Sequence, residues 1–139
     1  MTVVAKKVTV QTGGNCDIID ITPQVAMNVV ESGVNSGTAT LFVSGSTAGV
    51  TTIEYERGLL EDMRSMWDRV VPGGIGYEHN RMWGDGNGHS HVRASMLGAS
   101  LTVPFVDKKL TLGTWQQIVL IDFDNRPRLR TLVLQVLGE

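Results

Sequence analysis

Gln117-Ile118-Val119-Leu120-Ile121-Asp122-Phe123-Asp124-Asn125-Arg126-Pro127-Arg128-Leu129-Arg130-Thr131-Leu132-Val133-Leu134-Gln135-Val136-Leu137 is the stretch that decides the fold. Nothing polar interrupts Ile118–Ile121, so neither face of that strand is marked for water and both are expected in the core. Leu129–Leu137 is a second strand. Asp124-Asn125-Arg126-Pro127 joins the two as a tight connection, the natural link of antiparallel neighbours, so Trp115–Phe123 and Leu129–Leu137 are expected to pair.

Outward from this pair, Ser100–Phe105 and Leu110–Leu112 are also strand-like. Near the start, Thr2–Thr12 reads as a strand, Gly13-Gly14-Asn15 as a turn and Asp17–Asp20 as its short partner. Thr22-Pro23 supplies an N-cap and a first-turn proline for a helix with Val25, Val29 and Val30 on one stripe and Gly33 as its stop. Thr38–Ser44 and Val50–Tyr55 are strands around the Gly45–Gly49 turn. Leu59, Leu60, Met63, Trp67, Val70 and Val71 recur at helical spacing until Pro72-Gly73-Gly74 ends the second helix. Val92–Leu97 reads as a short helix stopped by Gly98, with Asn87 or Ser90 near its cap, and an extended segment as the alternative. About seven strands and two clear helices predict an α+β, mainly β class. The expected architecture is an antiparallel β-sandwich with two main helices packed on it, formed as one domain over residues 1–139.

Composition narrows the function. A hydrophobic content of 42% and a charged content of 19% suit a soluble globular domain able to bury a core. The net charge of −2, with no Lys/Arg cluster, speaks against nucleic acid as a partner. The longest apolar stretches, around Leu41–Val43 and Ile118–Ile121, are too short to cross a membrane. Met1–Lys7 lacks the ordering of a signal peptide, and the single cysteine, Cys16, allows no internal disulfide, so a cytoplasmic location is expected. Cys16 itself reads as a small buried residue.

All three histidines stand in Tyr77-Glu78-His79-Asn80-Arg81-Met82-Trp83-Gly84-Asp85-Gly86-Asn87-Gly88-His89-Ser90-His91. On an extended backbone His89 and His91 point to one side and share it with Asp85 and Asn87. With His79 arriving from across the loop, three ligands and an open position would match a catalytic metal site, zinc or magnesium being the candidate ions. A helix beginning before His89 would part the pair. Proton transfer, phosphate contact and a merely solvated glycine-rich loop are the alternatives. An EF-hand is excluded, because Ser90 and Met96 stand where the calcium loop needs glycine and glutamate.

Ser46-Thr47-Ala48-Gly49 could donate hydroxyl and backbone N–H groups to an anion, although a plain turn explains the same residues. Glu54 is a carboxylate inside a predicted strand, facing either solvent or a site. Arg57, Arg81 and Arg93 could each grip phosphate. Trp67 belongs to a helical core stripe, whereas Trp83 and Trp115 could stack on a flat ring or simply pack.

Several blocks taken in order carry a family resemblance. They are Ser46-Thr47-Ala48-Gly49-Val50-Thr51 with Glu54, Tyr77-Glu78-His79, and Gly86-Asn87-Gly88-His89-Ser90-His91-Val92-Arg93-Ala94-Ser95 with Leu97-Gly98. Ser100-Leu101-Thr102-Val103-Pro104, Leu112-Gly113-Thr114-Trp115-Gln116-Gln117-Ile118 and Arg126-Pro127-Arg128 complete the set. From about Val8 to Gln135 the chain resembles the YjbQ-like family, small proteins often labelled secondary thiamine-phosphate synthases. The resemblance implies a β-sandwich-like fold, a homotrimer with the polar cluster near subunit boundaries, and a weak transferase activity. That activity would join a pyrimidine-methyl diphosphate to a thiazole phosphate with release of diphosphate. It matches His79, Asn87, His89 and His91 to the family's polar core, and Thr47, Gly49, Glu54, Trp115 and Gln116 to its other blocks. Many relatives carry a histidine just before Thr-Ala-Gly, where Gly45-Ser46 stands here, so a fourth imidazole is not expected.

The expectation is therefore a small-molecule enzyme with His79, His89, His91 and Glu54 as catalytic residues. Ser46, Thr47, Gly49, Asp85, Asn87, Arg93, Trp115 and Gln116 would contact a small phosphorylated ligand. A divalent metal would sit on His79, His89 and His91. A non-catalytic trimer that holds metal or phosphate, and a purely structural trimer, are the competing readings.

Overall fold

The computed structural model of the protein describes residues 1–139. In chain order its elements are β1 (Thr2–Thr12), β2 (Asp17–Asp20), α1 (Thr22–Glu31), β3 (Gly37–Val43), β4 (Ala48–Ile53) and α2 (Arg57–Val70). There follow α3 (Glu78–Trp83), α4 (Gly88–Leu97), β5 (Ser100–Val106), β6 (Lys109–Leu110), β7 (Gln117–Asp122) and β8 (Arg128–Gly138). All strand pairs are antiparallel and fall into two sheets, a five-stranded one in the order β1-β8-β3-β5-β6 and a three-stranded one in the order β2-β7-β4. The antiparallel sandwich expected from the sequence is the observed architecture, with four helices instead of two.

The reason for two sheets lies in β7. Its alternate residues Ile118 and Leu120 enter one apolar cluster with Leu41, Phe105, Leu132 and Leu134 of the large sheet. Val119 and Ile121, with Phe123 just beyond, enter a second cluster with Trp67 and Val71 from the α2 segment and Ala94 of α4. Trp67 meets Phe123 edge-on, ring centroids 5.0 Å apart. Each fully buried side chain of this size contributes roughly 1.5–3 kcal/mol, so a strand loaded on both faces is the natural middle layer. The three layers are the large sheet, the small sheet, and the helices α2 and α4. Within the first cluster, α1 contributes Val25 and Val29.

Two expected pairings are corrected. Trp115–Phe123 and Leu129–Leu137 do not pair: β7 lies between β2 and β4, while β8 lies between β1 and β3. The tight connection at Asp124–Pro127 carries the chain from one sheet to the other. Asp17–Asp20 likewise pairs with β7 and not with Thr2–Thr12. Both turns have hairpin length, yet the strand on the far side of each has its apolar residues claimed by the other sheet. The cap of α1 also differs, because Thr22 begins the helix and Asp20 Oδ1 accepts from its N–H at 2.9 Å.

Polar side chains hold the sheet-to-sheet crossing. Arg130 grips Asp122 through Nε at 2.7 Å and Nη2 at 2.8 Å, and Arg128 donates to Asp124 from Nε at 2.9 Å. Thr12 Oγ1 donates to Asp122 at 2.6 Å, so β1 is tied to the same point. Both carboxylates are fully buried. Burial by itself would raise their pKa values, but the paired guanidiniums and the surrounding hydrogen bonds outweigh it. Asp122 is held low by Arg130 and Thr12, and Asp124 falls from 3.8 to about 2 through Arg128, the Asn125 N–H and Asn87.

Removing Arg130 leaves Asp122 buried without its cation, and Arg130→Ala is expected to cost about 3–5 kcal/mol in urea unfolding. An unchanged midpoint would contradict that account. Because the folded pKa of Asp124 lies below its ordinary value, its contribution is complete above about pH 4 and is lost as the pH falls toward about pH 2. The wild type should lose on the order of 2 kcal/mol across that window from this group, and Asp124→Asn should show a flatter acid limb.

Candidate functional site

Geometry in the histidine region begins with α4. Its first residue is Gly88, four residues ahead of the Val92 start that an extended His89–His91 requires. Residues two apart on a helix diverge by about 200°, whereas those four apart share a face. His91 and Ser95 therefore look one way, and His89 and Arg93 the other. The expected convergence of His79, His89 and His91 on one metal is corrected here: only two of the three imidazoles meet. Ring centroids of His79 and His91 lie 4.2 Å apart, and His79 Nε2 stands 3.7 Å from Asp85 Oδ1. No group of three His, Cys, Asp or Glu side chains is arranged to hold a metal ion within the chain. The donor set of a zinc or magnesium centre is thus incomplete in one subunit.

His91 opens onto a cleft of about 310 Å³ between α4 and the turn ahead of β4. Ser46 and Ala48 line one wall, Ala94 and Ser95 the other. Small side chains on both walls leave the space free, and Ser46, Ser95 and His91 supply its polar side chains. Burial first, and the neighbouring His79 second, lower the His91 pKa, so this imidazole is neutral at physiological pH. One ring nitrogen then donates and the other accepts. His79 Nε2 is buried with no hydrogen-bond partner. Such a group is costly unless something else satisfies it.

Several residues expected to touch a ligand hold the scaffold instead. Thr47 is buried, and its hydroxyl donates to Asp124 Oδ2 at 3.1 Å while accepting from Arg130 Nη2 at 2.6 Å. Asn87 caps the start of α4 and donates from Nδ2 to Asp124 Oδ1 at 3.2 Å. Gly49 is a packing residue: a Cβ there would lie 2.6 Å from the carbonyl oxygen of Gly98, at the end of α4. Gly88 serves the α3–α4 crossing in the same way, with a Cβ falling 2.5 Å from that of Tyr77. Arg93 lies away from the His91 side of α4, buried, with Nε on the Val71 carbonyl and Nη2 on Asp68, and does not reach the cleft at His91.

Other candidates lie elsewhere. Glu54 is exposed just past the end of β4, where Ile53 pairs with Gln117 at the start of β7. The cleft sits by Ala48, which pairs with Asp122 at the opposite end, so roughly 20 Å of strand separates them. Trp115 and Gln116 occupy the same remote end. Trp115 is 74% exposed, and Gln116 Nε2 donates to Thr52 Oγ1 at 3.0 Å. Trp83 is also 75% exposed on α3, so neither of these two indoles packs in the core. Sequence reasoning missed Asp122, Asp124, Arg128 and Arg130, which fix the cleft's frame. Their signal was present: two carboxylates at the end of a strand otherwise buried on both faces must be paired.

Comparison with known proteins then places the chain. It matches the family described as UPF0047 protein YjbQ-like over residues 6–139. The chain belongs to that family. A UPF0047 protein of Archaeoglobus fulgidus is 40% identical over 131 residues, spanning 94% of this chain and 99% of the relative. The UPF0047 protein YugU of Bacillus subtilis is 34% identical over 96% of this chain and 98% of its own length. A crystal structure described as a YbjQ-like protein of unknown function from Sulfolobus solfataricus superposes with a TM-score of 0.93 at 35% identity, covering 99% of each chain. The sandwich of this YjbQ-like chain is therefore that of its relatives.

The divergence of the two histidines on α4 is measurable. In an NMR titration, His91 and His89 should both titrate below the ordinary histidine range, each chiefly through burial. His79→Ala removes a positive neighbour from His91 alone, so it should raise the His91 midpoint and leave that of His89 in place. Equal movement of both midpoints would mean that the three rings share one pocket.

Proposed function

We propose that the cleft at His91 binds the phosphate end of a small molecule and that the protein acts as a transferase of the thiamine-phosphate synthase type, as its family resemblance implies. The close pairing of His79 and His91 beside a cleft walled by small residues is the observation that carries this reading. In that reaction the bond between the pyrimidine-methyl carbon and the diphosphate oxygen breaks, and its electron pair leaves with the diphosphate. The thiazole nitrogen lone pair forms the new bond to the same carbon, giving a thiazolium. No proton need be lost from either carbon framework, so the site's task is to accept negative charge on the leaving oxygens. The imidazole N–H of His91 and the Ser46 hydroxyl are donors available at the cleft, with the His79 ring packed against His91 from behind.

Turnover of pyrimidine-methyl diphosphate with thiazole phosphate tests the assignment. His91→Ala should lower kcat/KM by about a hundredfold or more, while Glu54→Ala should not change it. Full activity in His91→Ala would place the chemistry elsewhere. A second reading, a non-catalytic holder of phosphate or metal, is favoured by one fact: Glu54, the carboxylate assigned to catalysis, lies outside the cleft. Under that reading the wild type binds phosphate compounds at His91 without turning them over. Zinc titration by calorimetry, with His79→Ala as the control, tests the metal arm.

The homotrimer implied by the family resemblance is part of the proposal, with the outer face of the large sheet as a surface for contact between copies. Across β1, β8, β3 and β5 its rows run Ala5–Gln135–Thr40–Thr102 and Lys7–Val133–Phe42–Ser100, and Lys7 is the one charge among these eight positions. Phe42 at 49% exposed and Leu137 at 40% leave apolar surface that a second copy would cover. A neighbouring subunit is also the route by which Trp115 and Gln116 could approach the cleft. Sedimentation should give three chains' mass for the wild type and a lower mass for Phe42→Asp. A wild-type mass near one chain would refute the trimer. No helix is long and apolar enough to cross a membrane. With the lone thiol of Cys16 buried, work in a reducing cytoplasm is the compartment proposed.

A further inference from the structure

On the opposite side of α4 from the His91 cleft is a second cavity, of about 230 Å³, lined by Cys16, Arg64, Asp68, His89 and Arg93 among others. Its charge is unbalanced. Two guanidiniums face one carboxylate, and Asp68 already serves Arg93 at 3.2 Å while its side chain remains 76% exposed. Arg64 makes no ion pair. Its Nε donates to the Cys16 carbonyl at 3.2 Å, which anchors the guanidinium and leaves its terminal nitrogens for another acceptor.

Three further observations concern residues that line the same space. Arg93 is 95% buried, being only 5% exposed, and its Nε and Nη2 are committed to Val71 and Asp68, so its remaining terminal nitrogen has no protein acceptor. His89 Nδ1 is buried without a hydrogen-bond partner. Asn15 and Cys16 both adopt left-handed φ angles, of 54° and 64°, which for non-glycine residues costs of order 1–3 kcal/mol. That turn is what directs the Cys16 carbonyl at Arg64. Burial raises the Cys16 thiol to about 11, so the sulfur adds no negative charge.

We infer that this cavity is a separate binding site for a phosphate-type anion, with Arg64 and Arg93 supplying the charge and His89 a ring nitrogen. Two guanidiniums suit the fork geometry of phosphate oxygens. A space of about 230 Å³ accommodates a phosphate or diphosphate group. The site does not depend on the function proposed for the His91 cleft, since α4 lies between the two.

Calorimetric titration of the full chain with inorganic phosphate, diphosphate and acetate tests the inference. Phosphate or diphosphate should bind, acetate should bind far more weakly, and the better of the first two distinguishes a free phosphate site from one for a diphosphate group. Arg64→Ala should weaken that binding by about tenfold or more, the usual worth of one charged donor. His91→Ala should leave the Arg64-dependent binding unchanged, although the same variant removes any phosphate held in the other cleft. In the wild type, NMR should show the His89 ring resonances shifting with phosphate, a readout that does not rely on any variant folding. No phosphate or diphosphate binding, full affinity in Arg64→Ala, loss of the Arg64-dependent binding in His91→Ala, or immobile His89 resonances would each overturn the inference.

Discussion

Two buried carboxylates at the end of β7, neutralised by two arginines at the start of β8, are the constraint on which the rest of this structure depends. Asp122 and Asp124 have no exposure, and neither could stay ionised there without Arg130 and Arg128. Because the arginines belong to the large sheet and the carboxylates to the small one, satisfying this charge fixes how the two sheets meet. Thr12 from β1, Thr47 ahead of β4 and Asn87 at the cap of α4 all bond to the same two carboxylates. One polar knot therefore sets the separation of the layers, the start of α4 and the wall of the cleft.

The start of α4 has the largest functional consequence. Once the helix begins at Gly88, His89 and His91 must look in different directions, and each carries its own surroundings with it. His91 meets His79 and the small residues of the cleft. His89 joins Arg93, Arg64 and Cys16 behind the helix. Burial keeps both imidazoles below the ordinary histidine pKa, with a positive neighbour reinforcing the effect in each case. The two imidazoles therefore occupy two separate cavities, on opposite sides of α4.

Much of the fold was legible because β-strand patterning is direct where a strand is buried on both faces or alternates cleanly. Ile118–Ile121 announced a middle layer, and the Leu59–Val71 stripe announced α2. Pairing was not legible. The turns after Thr12 and Phe123 have hairpin length, and only three-dimensional burial shows that their flanking strands belong to different sheets. In the site, Ser46, His79 and His91 were found by residue chemistry, and their meeting follows from the α3–α4 crossing. Thr47, Gly49 and Asn87 were recognised as important without their role being readable, because a hydroxyl or glycine needed for the frame looks the same in sequence as one needed for a ligand. Glu54, Trp115 and Gln116 share blocks with the site along the chain, yet a strand's length separates them from it in space.

Hydrogen exchange on Asp124→Ala tests the central claim most directly. If the carboxylate knot places α4, amides in the first turn of α4, from His89 to Arg93, should lose protection while the central strands β3 and β8 keep most of theirs. Unchanged protection in that turn, with His79 and His91 still in contact by NMR, would contradict the account.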